Sequence, residues 1–370
     1  MKIILVGGAR PNFIKIAPLI WELKKKHEKV DGIDYLFVHT GQHYDNEMSN
    51  IFLKDLDLPN PDINLRVGSA SNAVQTANIM IRFEQVCINE QPDIAIVVGD
   101  VNSTIASTLV AAKLGIKTAH VESGLRSFDR TMPEEINRIL TDSISELLFT
   151  TCRDADDNLR REGIPKEKIF FVGNIMIDSL NHFKEKAKKI KAFKKFGLSP
   201  GNYAVLTLHR PSNVDDKESL KGILSAINDI SNHMPIVFPI HPRTRNSVKR
   251  FALNNYLVNK NSIHLSKALS YLEFISLLMD AKFVLTDSGG IQEETTILGI
   301  PCLTLRNNTE RPITVKEGTN TIIGNNSEKI IKESMKILKE GNKEKLTIPE
   351  LWDGNAAKRI IDILISQMSK

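Results

Sequence analysis

A chain of 370 residues is long for one hydrophobic core and comfortable for two, since domains usually run to about 100–200 residues. Apolar residues at 41% and charged residues at 25% are ordinary for a soluble globular protein, which sets aside a disordered or membrane class. A net charge of +5, with lysines dispersed outside the solvated helix face of residues 184–195, gives no footing to nucleic-acid binding, and three cysteines without paired spacing argue against structural zinc and disulfides.

The amino terminus, MKIILVGGARP, has too short an apolar part for a signal peptide, so a cytoplasmic protein is expected. Residues 2–6 read as a strand, GGARP as a turn, and 13–26 as a helix with Ile16, Leu19, Ile20 and Leu23 on one face. The turn has neither the GxGxxG spacing of a nicotinamide fold nor the Gly-Lys-Ser/Thr ending of a phosphate loop, and presents Arg10 and Lys15 instead. A strand over 35–39 runs into TGQHYD, and an amphipathic helix over 72–89 is expected to bury Ala77, Ile81 and Val86. Residues 93–100, DIAIVVGD, form a continuous apolar run, a buried parallel strand that puts Asp100 at its carboxyl end, where open α/β sheets bind ligands. Asn102 or Ser103 is expected to cap the next helix.

The strand over 118–121 ends at Glu122 and leads into a long polar loop that should turn helical after Pro133. Loops of that length are usually functional. Strands over 147–150 and 169–172, with a helix over 154–161 between them, close a first doubly wound, Rossmann-like domain of residues 1–172. Gly173 and Asn174 mark a crossover into a second such domain, 173–354. Its strands are expected over 204–208, 236–240, 262–265, 283–286 and 302–305, with a helix over 219–230 and a terminal helix from Ala356 onward.

Residues 283–294, FVLTDSGGIQEE, hold the clearest local signal: an apolar strand, a turn of small residues, and a helix expected to begin near Ile291. Ser288, Gly289 and Gly290 lack the bulk that would keep phosphates from the backbone, and the helix N-terminus offers unpaired N–H groups. Glu293 and Glu294 are expected in the first turn. There an acid can simply favour the helix dipole, or it can grip ribose hydroxyls as in dinucleotide folds.

Both halves therefore place unusual residues where strands stop: Arg10, His39, Asp100 and Glu122, then His209, His241, Asp287 and Ser288. Any one of them more often caps a helix or satisfies a loop. Together they point to a site in a cleft between two domains. Acids at Asp100, Glu122 and Glu134 suit proton transfer, because crowded carboxylates cannot all ionise freely. No pair of histidines has the spacing of a helical metal site, and no metal is expected.

GARPNFIK, VVGDVNST, HVESGLR, MPEEINR, LHRPSN and TDSGGIQEE with NTERP stand in the order found in non-hydrolysing UDP-N-acetylglucosamine 2-epimerases. The chain resembles that family over nearly its whole length. The resemblance implies a two-domain GT-B fold with UDP held by the second domain, the sugar facing the first, the final helix 355–370 packing back to join the first domain, no cofactor, and a homodimer serving surface polysaccharide or glycan synthesis. It also implies Asp100, Glu122 and Glu134 as acid/base groups, and Arg10 and His209 near the diphosphate. Ser288, Gly289 and Gly290 match the phosphate turn and Glu294 the ribose ligand, while Lys15, Arg138 and Arg311 fall on motif positions.

In the family, inversion at C2 runs by elimination of UDP to a 2-acetamidoglucal and re-addition. Three motifs depart from the common pattern, with Asn12 and Ser212 in glutamate positions and Met132 in place of tryptophan. They leave open a related UDP-diacetamido glucuronic acid substrate. A hydrolysing 2-epimerase, a glycosyltransferase of the same fold and a non-catalytic nucleotide-sugar sensor compete as readings of the same residues. Some bacterial members also bind an activating second substrate molecule near the TGQH-type loop, where Gln42 and His43 are present; regulation is left open.

Overall fold

The computed structural model describes residues 1–28, 32–42, 53–257, 262–341 and 347–368; His43, Tyr44 and Asp45 of the TGQHYD motif lie outside the described residues. The chain divides into two compact units, Met1–Ser179 with Glu350–Lys370, and Leu180–Pro349.

The first unit is built on a parallel sheet of β1 (Lys2–Gly7), β2 (Asp34–His39), β3 (Ile63–Asn64), β4 (Ile94–Val98), β5 (Lys117–Ser123), β6 (Leu147–Thr150) and β7 (Ile169–Phe171). Their order is β3-β2-β1-β4-β5-β6-β7, so the strand order reverses between β1 and β4. The second unit repeats the plan with β8 (Ala204–Thr207), β9 (Ile236–Pro239), β10 (Ile263–Ser266), β11 (Phe283–Thr286), β12 (Cys302–Thr304) and β13 (Asn320–Ile322), in the order β10-β9-β8-β11-β12-β13. Here the reversal falls between β8 and β11. Ligands of such sheets bind beyond the carboxyl ends of the strands at that reversal, because loops diverge to either side there. Two doubly wound parallel-sheet units are the fold class expected. Fully buried strands such as β4 and β11 explain why the apolar runs were legible, whereas β3 and β13, two and three residues long, carry too little pattern to be seen.

Four local expectations change. The first helix is Arg10–His27, starting before Phe13, because Pro11 has no N–H to satisfy and its fixed φ suits a helix start. Arg10 therefore stands on the helix, ahead of Lys15, rather than in the turn. The Asn72–Glu90 helix buries Gln75, Ile79, Phe83, Val86 and Cys87, while Ala77 is exposed and Ile81 is 63% exposed. Two apolar stripes competed on that helix, and the one holding Phe83 packs into the core with Ile4, Val6 and Val97. Val101 occupies the N-cap position of the Asn102–Lys113 helix without a side-chain cap. The Asn102 amide instead donates to Gln75 Oε1 at 2.9 Å, and the Ser103 hydroxyl to Gln42 Oε1 at 2.5 Å.

The fourth change is at the turn after β11, where the helix is Gly289–Leu298 with Ser288 as N-cap. The carboxyl-terminal helix Ala356–Met368 belongs to the first unit, where Asp178 accepts from Ala356 N at 3.2 Å and Ala357 N at 2.9 Å. Among the described residues, no helix is long and apolar enough to cross a membrane.

Candidate active site

β5 does not end as a regular strand. Val121 pairs with Phe149 and Ser123 with Thr150 of β6, so Glu122 is the extra residue of a bulge, with φ of 72°. A bulge re-aims the side chain it carries, and a left-handed backbone costs a non-glycine residue roughly 1–2 kcal/mol. Glu122 is buried and paired with Lys15 Nζ, itself buried on the first helix. Either charge alone would be expensive to bury; the pair keeps both. At the end of β4, Gly99 has φ of 68°, and a Cβ there would stand 3.0 Å from Lys15 Nζ and 3.4 Å from Glu122 Oε2. A glycine is thus what lets the β4 end lie against the ion pair.

The next residue, Asp100, is bound by Arg138 Nη1, and its carbonyl accepts from the Asn137 amide at 2.9 Å. Arg138 reaches back to Glu135 Oε2 through Nε at 3.1 Å and Nη2 at 2.5 Å. Glu135 also accepts the backbone N–H of Ser127 at 3.0 Å and of Phe128 at 2.8 Å. Burial works to raise the Glu135 carboxyl, but the Ser127 N–H and the Arg138 guanidinium outweigh it and hold the group below its ordinary range. Asp100 and Glu122 each carry a cation at contact distance. Glu134, in the first turn of the Pro133–Ile144 helix, is half-buried.

In the second unit, Asp287 follows β11 and is fully buried. It accepts from His209 N, Arg210 N at 2.9 Å, Asn213 Nδ2 at 3.3 Å, and His209 Nδ1 at 2.8 Å. Burial raises its carboxyl, and the His209 ring with these N–H donors more than offsets that, leaving it lowered. The His209 side chain is 39% exposed, and Nε2 is the ring nitrogen not engaged by Asp287. At the turn, a Cβ on Gly289 would fall 2.4 Å from Arg311 Nη1 and 2.6 Å from Glu310 Oε1, so the residue is glycine because an ion pair lies against it. Buried Arg311 pairs with Glu310 at 2.5 Å and Glu293 at 3.0 Å, and Arg306 joins Glu310 at 2.7 Å.

Because the helix begins at Gly289, Glu293 and Glu294 fall in its second turn, and both are buried. Of the two readings open for them, the first-turn dipole role does not apply. Glu294 is pushed up to about 8 by burial, with Glu293 adding to the rise and the Tyr271 hydroxyl beside it working the other way.

The structure thus joins Lys15 to Glu122 and Arg138 to Asp100, stands Arg10 half-buried at the head of the first helix, and sets Arg311 against the turn Ser288, Gly289 and Gly290. His39 and His241 have local structural work: His39 Nδ1 accepts from Gly41 N at 2.9 Å, and His241 caps its helix by accepting from Arg243 N at 3.2 Å. Asn12 uses both ends of its amide, accepting from Gly8 N and Ala9 N and donating to Val98 O at 2.9 Å; a glutamate has no N–H for that last bond. Glu135, His120, Asp142, Glu310 and Tyr271 escaped the sequence reading. For Glu135, Arg138 and Asp142 a signal existed, since their spacing of three and four places them on one helical face. Among the described residues no group of three or more His, Cys, Asp or Glu is placed to hold a metal ion.

Comparison with known proteins gives a consistent result. The sequence model of the UDP-N-acetylglucosamine 2-epimerase family matches residues 25–365. A UDP-N-acetylglucosamine 2-epimerase of Methanocaldococcus jannaschii is 45% identical over 98% of this chain and 99% of its own. A UDP-2,3-diacetamido-2,3-dideoxy-D-glucuronate 2-epimerase of Pseudomonas aeruginosa is 41% identical over 88% of each chain. Among solved structures, the M. jannaschii UDP-GlcNAc 2-epimerase in complex with UDP-GlcNAc and UDP superposes with a TM-score of 0.90 at 44% identity, covering 99% of this chain and 100% of that one.

Proposed function

Since the chain belongs to the UDP-N-acetylglucosamine 2-epimerase family, we propose that it reversibly inverts C2 of UDP-N-acetylglucosamine, without a cofactor, by eliminating UDP and adding it back to a 2-acetamidoglucal. The observation that carries this reading is Glu122: a buried carboxylate on a strained bulge, held against Lys15 at the carboxyl end of the first sheet. The C2 hydrogen is not acidic, so a positioned base must act while the departing diphosphate is stabilised.

In this reading Asp100, Glu122 and Glu134 move the proton. The first N–H groups of the Gly289–Leu298 helix, with Ser288, Gly290, Arg10 and His209 Nε2, take the diphosphate. Glu294 accepts the ribose hydroxyls, Arg138 holds Asp100, and Arg311 braces the phosphate turn. The protein supplies N-acetylmannosamine units in the cytoplasm for surface polysaccharide or glycan synthesis.

A second reading concerns the sugar. The 41% identical diacetamido glucuronate 2-epimerase and the departures at Asn12, Met132 and Ser212 favour that substrate class as the alternative for the same chemistry. Supplying each UDP-sugar separately and resolving products by chromatography decides between them. The proposal expects a UDP-linked 2-epimer with little free sugar; stoichiometric free sugar and UDP would mean hydrolysis, and no turnover of either would mean a sensor or a glycosyltransferase lacking its acceptor.

A homodimer is part of the proposal. Val74, Ile81 and Ile88 recur every seven residues on the exposed side of one helix, and each is at least half exposed, a stripe that suits a second copy. Ile81→Glu should leave the fold intact and shift the sedimentation velocity toward the monomer; an unchanged dimer would place the interface elsewhere.

A further inference from the structure

We propose that Asp142 is a positioning residue that holds the two acid-bearing strand ends in register through His120. The inference rests on the reading of Asp100 and Glu122 as proton-transfer groups. Asp142 lies on the Pro133–Ile144 helix and is wholly buried, as is His120. One of its oxygens meets His120 Nδ1 at 2.6 Å; the other accepts from Gly124 N at 3.0 Å and lies 2.7 Å from Arg126 Nη1. These three points, at 120, 124 and 126, bracket Glu122 on both sides. The bulge with its left-handed backbone is thereby stapled from behind by one carboxylate.

The contact continues beyond β5. His120 Nε2 stands 2.8 Å from the carbonyl oxygen of Gly99, the residue before Asp100. Both ring nitrogens of His120 thus face an oxygen acceptor, one on each side of the ring. The ring is then a rigid strut from Asp142 to the end of β4, and Asp142 fixes both the Glu122 segment and the Gly99–Asp100 segment. Neutralising Arg126 does not account for Asp142, because Glu162 already binds that guanidinium through two bonds, at 2.7 and 2.6 Å. The carboxyl of Asp142 would be raised by burial, but His120 and Arg126 lower it, so it is available as an ionised acceptor.

A residue that only supports the fold would affect binding and turnover together as the folded fraction falls; one that positions acids lowers kcat in protein that still binds UDP. Asp142→Asn keeps the shape but turns an amide N–H₂ toward one of these donors. In the folded variant, calorimetry should give a UDP Kd within about twofold of wild type and a KM within about threefold, with kcat reduced at least about thirtyfold. A kcat within about twofold of wild type, or equal losses of kcat, UDP binding and folded fraction, overturns the proposal.

If Asp142→Asn does not fold, neutron diffraction on the wild-type protein decides. Deuterons on both ring nitrogens of His120 support the strut, and a single deuteron overturns it. Wild type that turns over neither UDP-sugar contradicts the functional reading instead, and the neutron result then stands alone for the strut.

Discussion

Two helices of this protein bury polar faces, one in each unit, and their buried acids differ in what they meet. The Pro133–Ile144 helix buries Glu135, Arg138, Thr141 and Asp142 while leaving Ile136 and Leu140 nearly half exposed. Every charge on that buried face meets an opposite charge: Glu135 with Arg138, Arg138 with Asp100, Asp142 with Arg126. The Gly289–Leu298 helix buries Gln292, Glu293 and Glu294; there Glu293 meets Arg311, whereas Glu294 has a phenol and a second carboxylate for neighbours. The result is visible in proton affinity, with Glu135 and Asp142 lowered and Glu294 raised to about 8. Pairing offsets the cost of burial and holds a carboxyl low; burial without a cation raises it.

The contrast is broken most forcefully at Lys15. Lys15→Met strands the buried Glu122 carboxylate, and removing one partner of such a pair typically costs about 3–5 kcal/mol. Urea denaturation at pH 7 should show a loss of that size, and a change below about 1 kcal/mol would mean the pair is not held as a buried unit.

Glu294 should behave in the reverse sense. Its folded value of about 8 lies above the ordinary value of 4.5, so its stabilising contribution is complete below about pH 4.5 and is lost as pH rises toward 8. Glu294→Gln should therefore stabilise the ligand-free protein by about 3 kcal/mol at pH 7 and flatten the decline between about pH 5 and 8. The same variant should weaken UDP binding by about 1–3 kcal/mol, since an amide is a poorer acceptor for ribose hydroxyls. Stability curves at several pH values, with calorimetry, test both; unchanged stability and unchanged affinity would show that Glu294 neither stores this strain nor touches the ribose.

The smallest effect is expected at the phosphate turn. Gly289→Ala must displace the Arg311–Glu310 pair, a strain of about 1–3 kcal/mol, and should loosen UDP binding while sparing the first unit. Thermal unfolding and calorimetry would measure it, and wild-type values in both would show that the pair moves aside freely.

Legibility in the sequence followed physical contrast. The runs at 93–100 and 283–286 were plain because central parallel strands are apolar on both faces, and the strand-end residues followed from them. The Asn72–Glu90 helix misled because Val74, Ile81 and Ile88 make an apolar stripe as regular as the buried one. The Pro133–Ile144 helix hid its contribution because an inverted face defeats any rule that takes polar residues to be exposed. Glu122 was picked out as a strand-end acid, but its bulge depends on register with β6, which only tertiary pairing reveals.

The central claim is that Asp100, Glu122 and Glu134 of the first unit move the C2 proton, and the most direct measurement is isotope uptake. Wild-type protein incubated with UDP-N-acetylglucosamine in heavy water should place deuterium at C2 of the epimeric product, because elimination breaks that bond and solvent returns the proton. At least one of Asp100→Asn, Glu122→Gln and Glu134→Gln should bind UDP normally yet lose exchange and epimerisation together. Retention of both activities by all three variants would contradict the assignment, and C2 inversion by wild type without solvent deuterium would contradict the proton transfer it rests on.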